Sequence, residues 1–184
     1  MRFEKQPLEG LAVIRFDPFT DHRGAFARTY DGKVFEQQGI PVEWVQENQS
    51  VSLTKGTVRG LHFLLPPHTD GKLVRCIQGA VFDVAVDLRA GSRTQGQWMS
   101  FLLRAGDDSM LYIPKGFAHG FCTLSDHSLI LYKHDSYYDK ASDSGILWND
   151  PALAIEWPEE DPIISEKDKG LMTYQEFIKK YNGL

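Results

Sequence analysis

The sequence predicts a mainly β protein, a β-sandwich or barrel with short helices near the N-terminus and at the C-terminus. Three observations carry that expectation. Short apolar runs punctuated by Gly, Pro, Asn and Asp dominate from residue 11 to 157. Within "GAVFDVAVDLRAGS", Phe82, Val84, Val86 and Leu88 alternate with Asp83, Ala85 and Asp87, the period-2 pattern of a strand with one apolar face. Helical periodicity is confined to the two ends, and many short strands with little helix between them close into sandwiches or barrels.

Taken in order, Leu11 to Phe16 and Val42 to Gln46 are the first strand candidates. Between them Asp31 is placed to cap a helix over Lys33 to Gln38, with Gly39 as the stop. "TVRGLHFLLPPHTDGKLVRC" then holds two apolar runs, one around Leu61 and Phe63 and one from Leu73 to Ile77. After residues 80–88 come "QWMSFLLRAGD", "SMLYIPKGFAHGF" and "SLILYKHDSYY", each bounded by turn residues. At the C-terminus, Thr173 and Glu176 have capping-box spacing, and Tyr174, Phe177, Ile178 and Tyr181 share one helical face. There is no internal repeat, linker or low-complexity segment.

With 184 residues the chain is one domain, 1–184, with a full core. Charged residues make up 24% and hydrophobic ones 42%, an ordinary globular balance. A net charge of −5 argues against a nucleic-acid surface, though not against a local basic pocket. The N-terminus lacks the apolar core of a signal peptide and no run approaches membrane-spanning length, so a cytoplasmic protein without a membrane partner is expected. With Cys76 and Cys122 the only cysteines, neither a disulfide framework nor a zinc site is expected.

Several polar residues sit badly in such a core. His62 and Leu64 share one face of their run while Leu61 and Phe63 share the other. Lys72 opens the next run, and Arg59, His119, Tyr132 and Asp168 join the set. Ile130, Tyr132 and His134 share a face of theirs. A histidine inside a closed sheet either packs as a hydrogen-bonded core residue or lines a ligand cavity. Each of the others, taken singly, also reads as an ordinary solvated or half-buried residue. The histidines are widely spaced, without H-x-H or H-x-x-x-H, so a metal site has no local support. There is no G-x-S-x-G, P-loop or dinucleotide fingerprint. A base, a phenol, cations and a carboxylate suit proton abstraction next to a carbonyl.

"FTDHRGAF", "VQENQSVS", "VRGLHF", "GKLVRC", "GAVFDVAVDLRAGSRTQGQW", "IPKGFAHGF" and "GILWNDPALAIEWP" occur in that order. Together they closely resemble the dTDP-4-dehydrorhamnose 3,5-epimerases, a cupin-like family, from about residue 11 to 170. The resemblance implies a jelly roll, a homodimer, a nucleotide-sugar substrate, and no metal or organic cofactor. By motif position, His62 would be the general base and Asp168 would hold its ring, as a carboxylate orients such an imidazole. Lys72 would stabilise the enolate and Tyr132 would protonate the opposite face. Arg23, Arg59, His119, Gln46 and Asn48 would bind substrate, with Lys167 nearby and Tyr138 stacking on the base. The family departs from this chain where Arg28 replaces an acidic residue, Leu64 a glutamine and Asp143 a glutamate. Arg28 and Asp143 therefore stand near the nucleotide or sugar. The implied reaction inverts C3 and C5 of a dTDP-linked 4-keto-6-deoxyhexose. A C3-only epimerase, a CDP- or GDP-sugar epimerase, a metal-dependent cupin enzyme and a non-catalytic sugar-binding jelly roll are the alternatives.

Overall fold

Thirteen strands and three helices form from residues 1–184, all described by the computed structural model. They are β1 (Arg2–Lys5), β2 (Ala12–Arg15), β3 (Phe19–Asp21), β4 (Gly24–Phe26), α1 (Gly32–Gln37), β5 (Gln46–Ser52), β6 (Val58–Leu64) and β7 (Lys72–Gln78). Then follow β8 (Ala80–Asp87), β9 (Trp98–Arg104), β10 (Ser109–Ile113), β11 (Phe117–Thr123), β12 (Ser128–His134), β13 (Asp143–Gly145), α2 (Glu166–Lys169) and α3 (Tyr174–Tyr181). A six-stranded sheet has the order β1-β2-β10-β7-β12-β5, and a five-stranded sheet the order β13-β6-β11-β8-β9. β3 and β4 form a separate hairpin.

The sheets face each other as a sandwich. Val74, Leu111 and Ile130 of the larger sheet meet Val81, Ala85, Phe117 and Phe121 of the smaller one. The smaller sheet is covered on its other face too, where Leu61, Phe63, Val84 and Val86 pack beneath Ile146, Leu153, Ile155 and Phe177. That second cover corrects the expected single apolar face of residues 80–88. Asp83 and Asp87 are both 0% exposed, because the face they occupy points into the sandwich rather than to water. α1 and its flanks close the outside of the larger sheet, with Phe35 and Ile40 against Ile14, Leu73 and Tyr112.

The helix ends follow local chemistry. Asp31 accepts from the Lys33 N–H at 3.2 Å, and Gly39 takes a left-handed φ of +72°. The Thr173–Glu176 capping box forms in both directions, and Phe177 packs edge-on to Phe63 at 5.2 Å. No helix is long and apolar enough to cross a membrane.

One strand expectation is corrected. Residues 41–45 are irregular, and the strand that pairs with β12 is Gln46–Ser52. Its inward positions are Gln46, Asn48, Ser50 and Ser52, of which Gln46 and Asn48 line a cavity, so the apolar alternation that signals a strand is missing.

Candidate active site

A cavity of about 600 Å³ is lined by strands of both sheets. From the smaller sheet come His62 on β6 and His119 on β11, directly opposed in register. The two strands approach so closely that a Cβ on Gly60 would lie 2.7 Å from the Gly120 Cα, and Gly60 also has φ +117°. Only glycine fits both demands.

His62 Nε2 lies 2.7 Å from Asp168 Oδ1, across a sequence separation of 106. Ser165 caps α2 by accepting the Asp168 N–H at 3.1 Å, which sets this carboxylate in the first turn. Asp168 is 3% exposed, and its other oxygen accepts the Gly60 N–H at 3.2 Å. Burial pushes its carboxyl up, but the His62 bond and charge, the Gly60 N–H and Lys167 outweigh burial and hold it below its ordinary value. His119 Nε2 lies 3.0 and 2.9 Å from the two oxygens of Asp83.

The facing sheet supplies the phenol and the ammonium. β12 lies between β5 and β7, with Tyr132 opposite Asn48 and Val74, and His134 opposite Gln46 and Lys72. Burial pushes the Tyr132 phenol up, with Arg59 offsetting part of the rise, so it keeps its proton at neutral pH. Lys72 is buried, with Nζ 3.4 Å from Asp70 Oδ2. The same Asp70 oxygen lies 2.6 Å from His134 Nδ1. Burial pushes Asp70 up, yet the Lys72 charge and His134 hold it at about 2. Arg59 is fixed at the β5 edge by Ser52 Oγ at 3.2 Å and the Val51 carbonyl at 3.1 Å.

At the rim, the Tyr138 hydroxyl donates to Asp143 Oδ2 at 3.1 Å and Lys167 Nζ donates to the same oxygen at 2.6 Å. That bond to Asp143 raises the Lys167 ammonium above its ordinary value. Gln46 Oε1 accepts the Tyr138 N–H at 3.0 Å, and Gln46 Nε2 donates to Asn48 Oδ1 at 3.3 Å. Every site residue expected from the sequence lines this cavity except two. Arg23 and Arg28 lie outside it, on and just after the β3–β4 hairpin. There they are exposed and paired with Asp21 and Asp31, neighbours in sequence that capture them locally. Leu64 lines the cavity through a buried side chain.

Asp70, Asp83 and His134 are site residues that sequence reasoning passed over. Asp70 stands two before Lys72, and His134 continues the face of Tyr132; both signals were present but short. Asp83 lies on the face opposite the apolar positions Phe82, Val84 and Val86, where alternation gives no sign of a site. No group of three or more His, Cys, Asp or Glu side chains is placed to hold a metal ion, and His62, His119 and His134 each bond one carboxylate. A carboxylate-backed imidazole on one sheet thus faces a phenol and a buried ammonium on the other. Such a set can remove a proton, hold a developing oxyanion and return a proton from another side.

Known proteins resemble this chain in sequence and in fold. Residues 5–176 match the family model described as dTDP-4-dehydrorhamnose 3,5-epimerase. A dTDP-4-dehydrorhamnose 3,5-epimerase of Shigella flexneri is 50% identical over 159 residues, covering 85% of this chain and 87% of the relative. The crystal structure of the Bacillus anthracis enzyme of the same name, with TDP and PPi bound, is 44% identical with a TM-score of 0.91, covering 94% of this chain and 98% of that one. The Legionella pneumophila enzyme, in complex with dTDP-4-keto-L-rhamnose, is 40% identical with a TM-score of 0.88, covering 94% and 92%.

Proposed function

This chain belongs to the dTDP-4-dehydrorhamnose 3,5-epimerase family, and on that premise we propose that it converts dTDP-4-dehydro-6-deoxy-D-glucose to dTDP-4-dehydro-L-rhamnose. The supporting observation is the pairing of Asp168-backed His62 on one sheet with protonated Tyr132 and buried Lys72 on the facing sheet.

C3 and C5 both flank the C4 ketone, so their protons are acidified by the same carbonyl. His62, held through Nε2 by Asp168, takes the C3 proton on its remaining nitrogen. The bonding pair moves into the ketone and leaves negative charge on its oxygen. Lys72 offsets that charge in a cavity where an ammonium counts for more than in water. Tyr132 then donates its proton to the opposite face of the carbon, which inverts it. Solvent then takes the proton from His62 and returns one to Tyr132, and the same cycle at C5 completes the product. Each cycle moves one proton out and one in, with no net oxidation, so the reaction needs no redox cofactor.

Tyr138, half exposed at the rim, stacks on the base, while Arg59, His119, Gln46, Asn48, Asp143 and Lys167 hold the sugar and diphosphate. The active form is a cytoplasmic homodimer in which the β3–β4 hairpin carries Arg23 to the partner's site. Phe19 and Phe26, paired across that hairpin and 69% and 74% exposed, are apolar surface suited to such a contact.

Incubation in heavy water with dTDP-, CDP- and GDP-linked 4-keto-6-deoxyglucoses, read by mass spectrometry, tests the reading. Two deuterons in the dTDP sugar are expected. One deuteron makes the protein a C3-only epimerase, a better CDP or GDP substrate changes the nucleotide, and no exchange with any of them overturns the enzyme.

A further inference from the structure

Gln46, Asn48, His134 and Asp70 form a hydrogen-bond chain across the six-stranded sheet, and its direction is forced from one end. The Tyr138 backbone N–H can only donate, so the Gln46 atom 3.0 Å away is Oε1. Gln46 therefore meets Asn48 through Nε2, 3.3 Å from Oδ1. Asn48 has Nδ2 left for His134 Nε2, 3.2 Å away, and that ring nitrogen must accept. The proton then sits on Nδ1, which donates to Asp70 Oδ2 at 2.6 Å. Asp70, a pure acceptor, ends the chain and also faces Lys72 Nζ at 3.4 Å.

Resting on the proposed function, we infer that His134 is a positioning residue of the epimerase site. As the neutral Nδ1–H tautomer, it locks the Asn48 and Gln46 amides and ties them to the Asp70–Lys72 pair. Each amide keeps one further N–H, and both residues line the cavity, so the locked orientation offers donors to substrate oxygens. His134 is 8% exposed with both ring nitrogens engaged, which leaves the ring no other arrangement that satisfies both.

A second proton on the ring would set Nε2–H against Asn48 Nδ2, donor against donor. Turning the Asn48 amide over moves the mismatch to Gln46, which cannot turn because Tyr138 N–H holds its oxygen. Protonation thus costs the chain one bond wherever the mismatch lands. The charged or titratable groups around the ring are Asp70 and Lys72 on the β7 side and Tyr132 on its own strand, with ring centroids 5.4 Å apart. Asp135, next in the chain, is turned to the Gly71 N–H and Lys115. β5 contributes only the two amides, since Glu47 between them pairs with Lys133 on the other face.

NMR of the 15N-histidine-labelled protein at neutral pH, with His134 assigned by its loss in His134→Gln, is expected to show a protonated Nδ1 and a bare Nε2. An Nε2–H tautomer or an imidazolium there overturns the inference. His134→Leu is expected to raise KM for the nucleotide sugar about tenfold, the scale of a lost hydrogen bond, with kcat within about threefold because Lys72 keeps Asp70. His134→Gln, able to donate to Asp70 and accept from Asn48, is expected to bring KM back to within about threefold of wild type. A wild-type KM in His134→Leu also overturns it. The tautomer measurement needs no turnover. It decides the state of His134 if the protein is inert on every 4-keto sugar, an outcome that overturns only the proposed function.

Discussion

His62 and Tyr132 stand on opposite sheets and in the proposed reaction divide one proton transfer between them, so their losses should separate by step. His62→Ala is expected to lower kcat/KM by about a thousandfold or more and to abolish solvent exchange, since it removes the base of the proposed reaction. Tyr132→Phe should leave deuterium exchange in the starting configuration while product formation falls, because proton removal survives and delivery from the other face does not. Heavy-water incubation separates the two, and normal turnover of His62→Ala would reassign the base. Asp168→Asn keeps the shape of the contact but removes the charge that orients His62. A milder loss of about 10–100-fold in kcat is expected.

At the scale of elements, the β8–β9 connection and α3 rest on short-range polar bonds that can be tested one at a time. Asp87 is 0% exposed and accepts from Arg89 at 2.9 and 2.7 Å, Ser92 at 2.7 Å and Thr94 at 2.6 Å. Burial pushes its carboxyl up, but these donors hold it at about 2. The folded value is below the unfolded one, so the stabilisation is complete above the unfolded pKa near 4 and fades as pH falls toward 2. Asp87→Asn should therefore destabilise by about 2 kcal/mol at pH 7. The gap to wild type in urea unfolding should close between about pH 4 and 2, and a gap independent of pH would show that the charge contributes nothing. Thr173→Ala removes one half of the α3 capping box and should cost about 1 kcal/mol in the same assay.

For the whole molecule, the isolated chain leaves Arg23 and the exposed Phe19–Phe26 pair outside its own cavity. Sedimentation should give twice the chain mass of 20.9 kDa, and a monomer at micromolar concentration would defeat the homodimer. Mixing inactive His62→Ala with inactive Arg23→Ala chains should restore about a quarter of wild-type activity. Random pairing makes half the dimers mixed, with one complete site in two. No recovery from mixed dimers would confine Arg23 to its own subunit.

What the sequence determined by itself was whatever rests on neighbours in the chain. Short apolar runs marked β2 and β6 to β12, the Asp31 and Thr173 caps marked α1 and α3, and the family resemblance marked about half of the residues that line the cavity. The family resemblance already paired Asp168 with His62, but only the tertiary structure decided which carboxylates serve His119 and His134. Asp168 reaches His62 across 106 positions, Asp83 reaches His119 across 36 and Asp70 reaches His134 across 64. β5 escaped the sequence for the same reason that it matters: a strand facing a polar cavity carries Gln, Asn and Ser where the hydrophobic pattern wants apolar side chains. The burial of Asp83 and Asp87 went unmarked because alternation shows that two faces differ, while burial of both depends on the facing sheet on one side and the C-terminal segment on the other. Capping and periodicity are local energies written within a few residues. Cavity lining, charge pairing and the reach of the hairpin depend on distant segments meeting, and that is settled only when the sheets close.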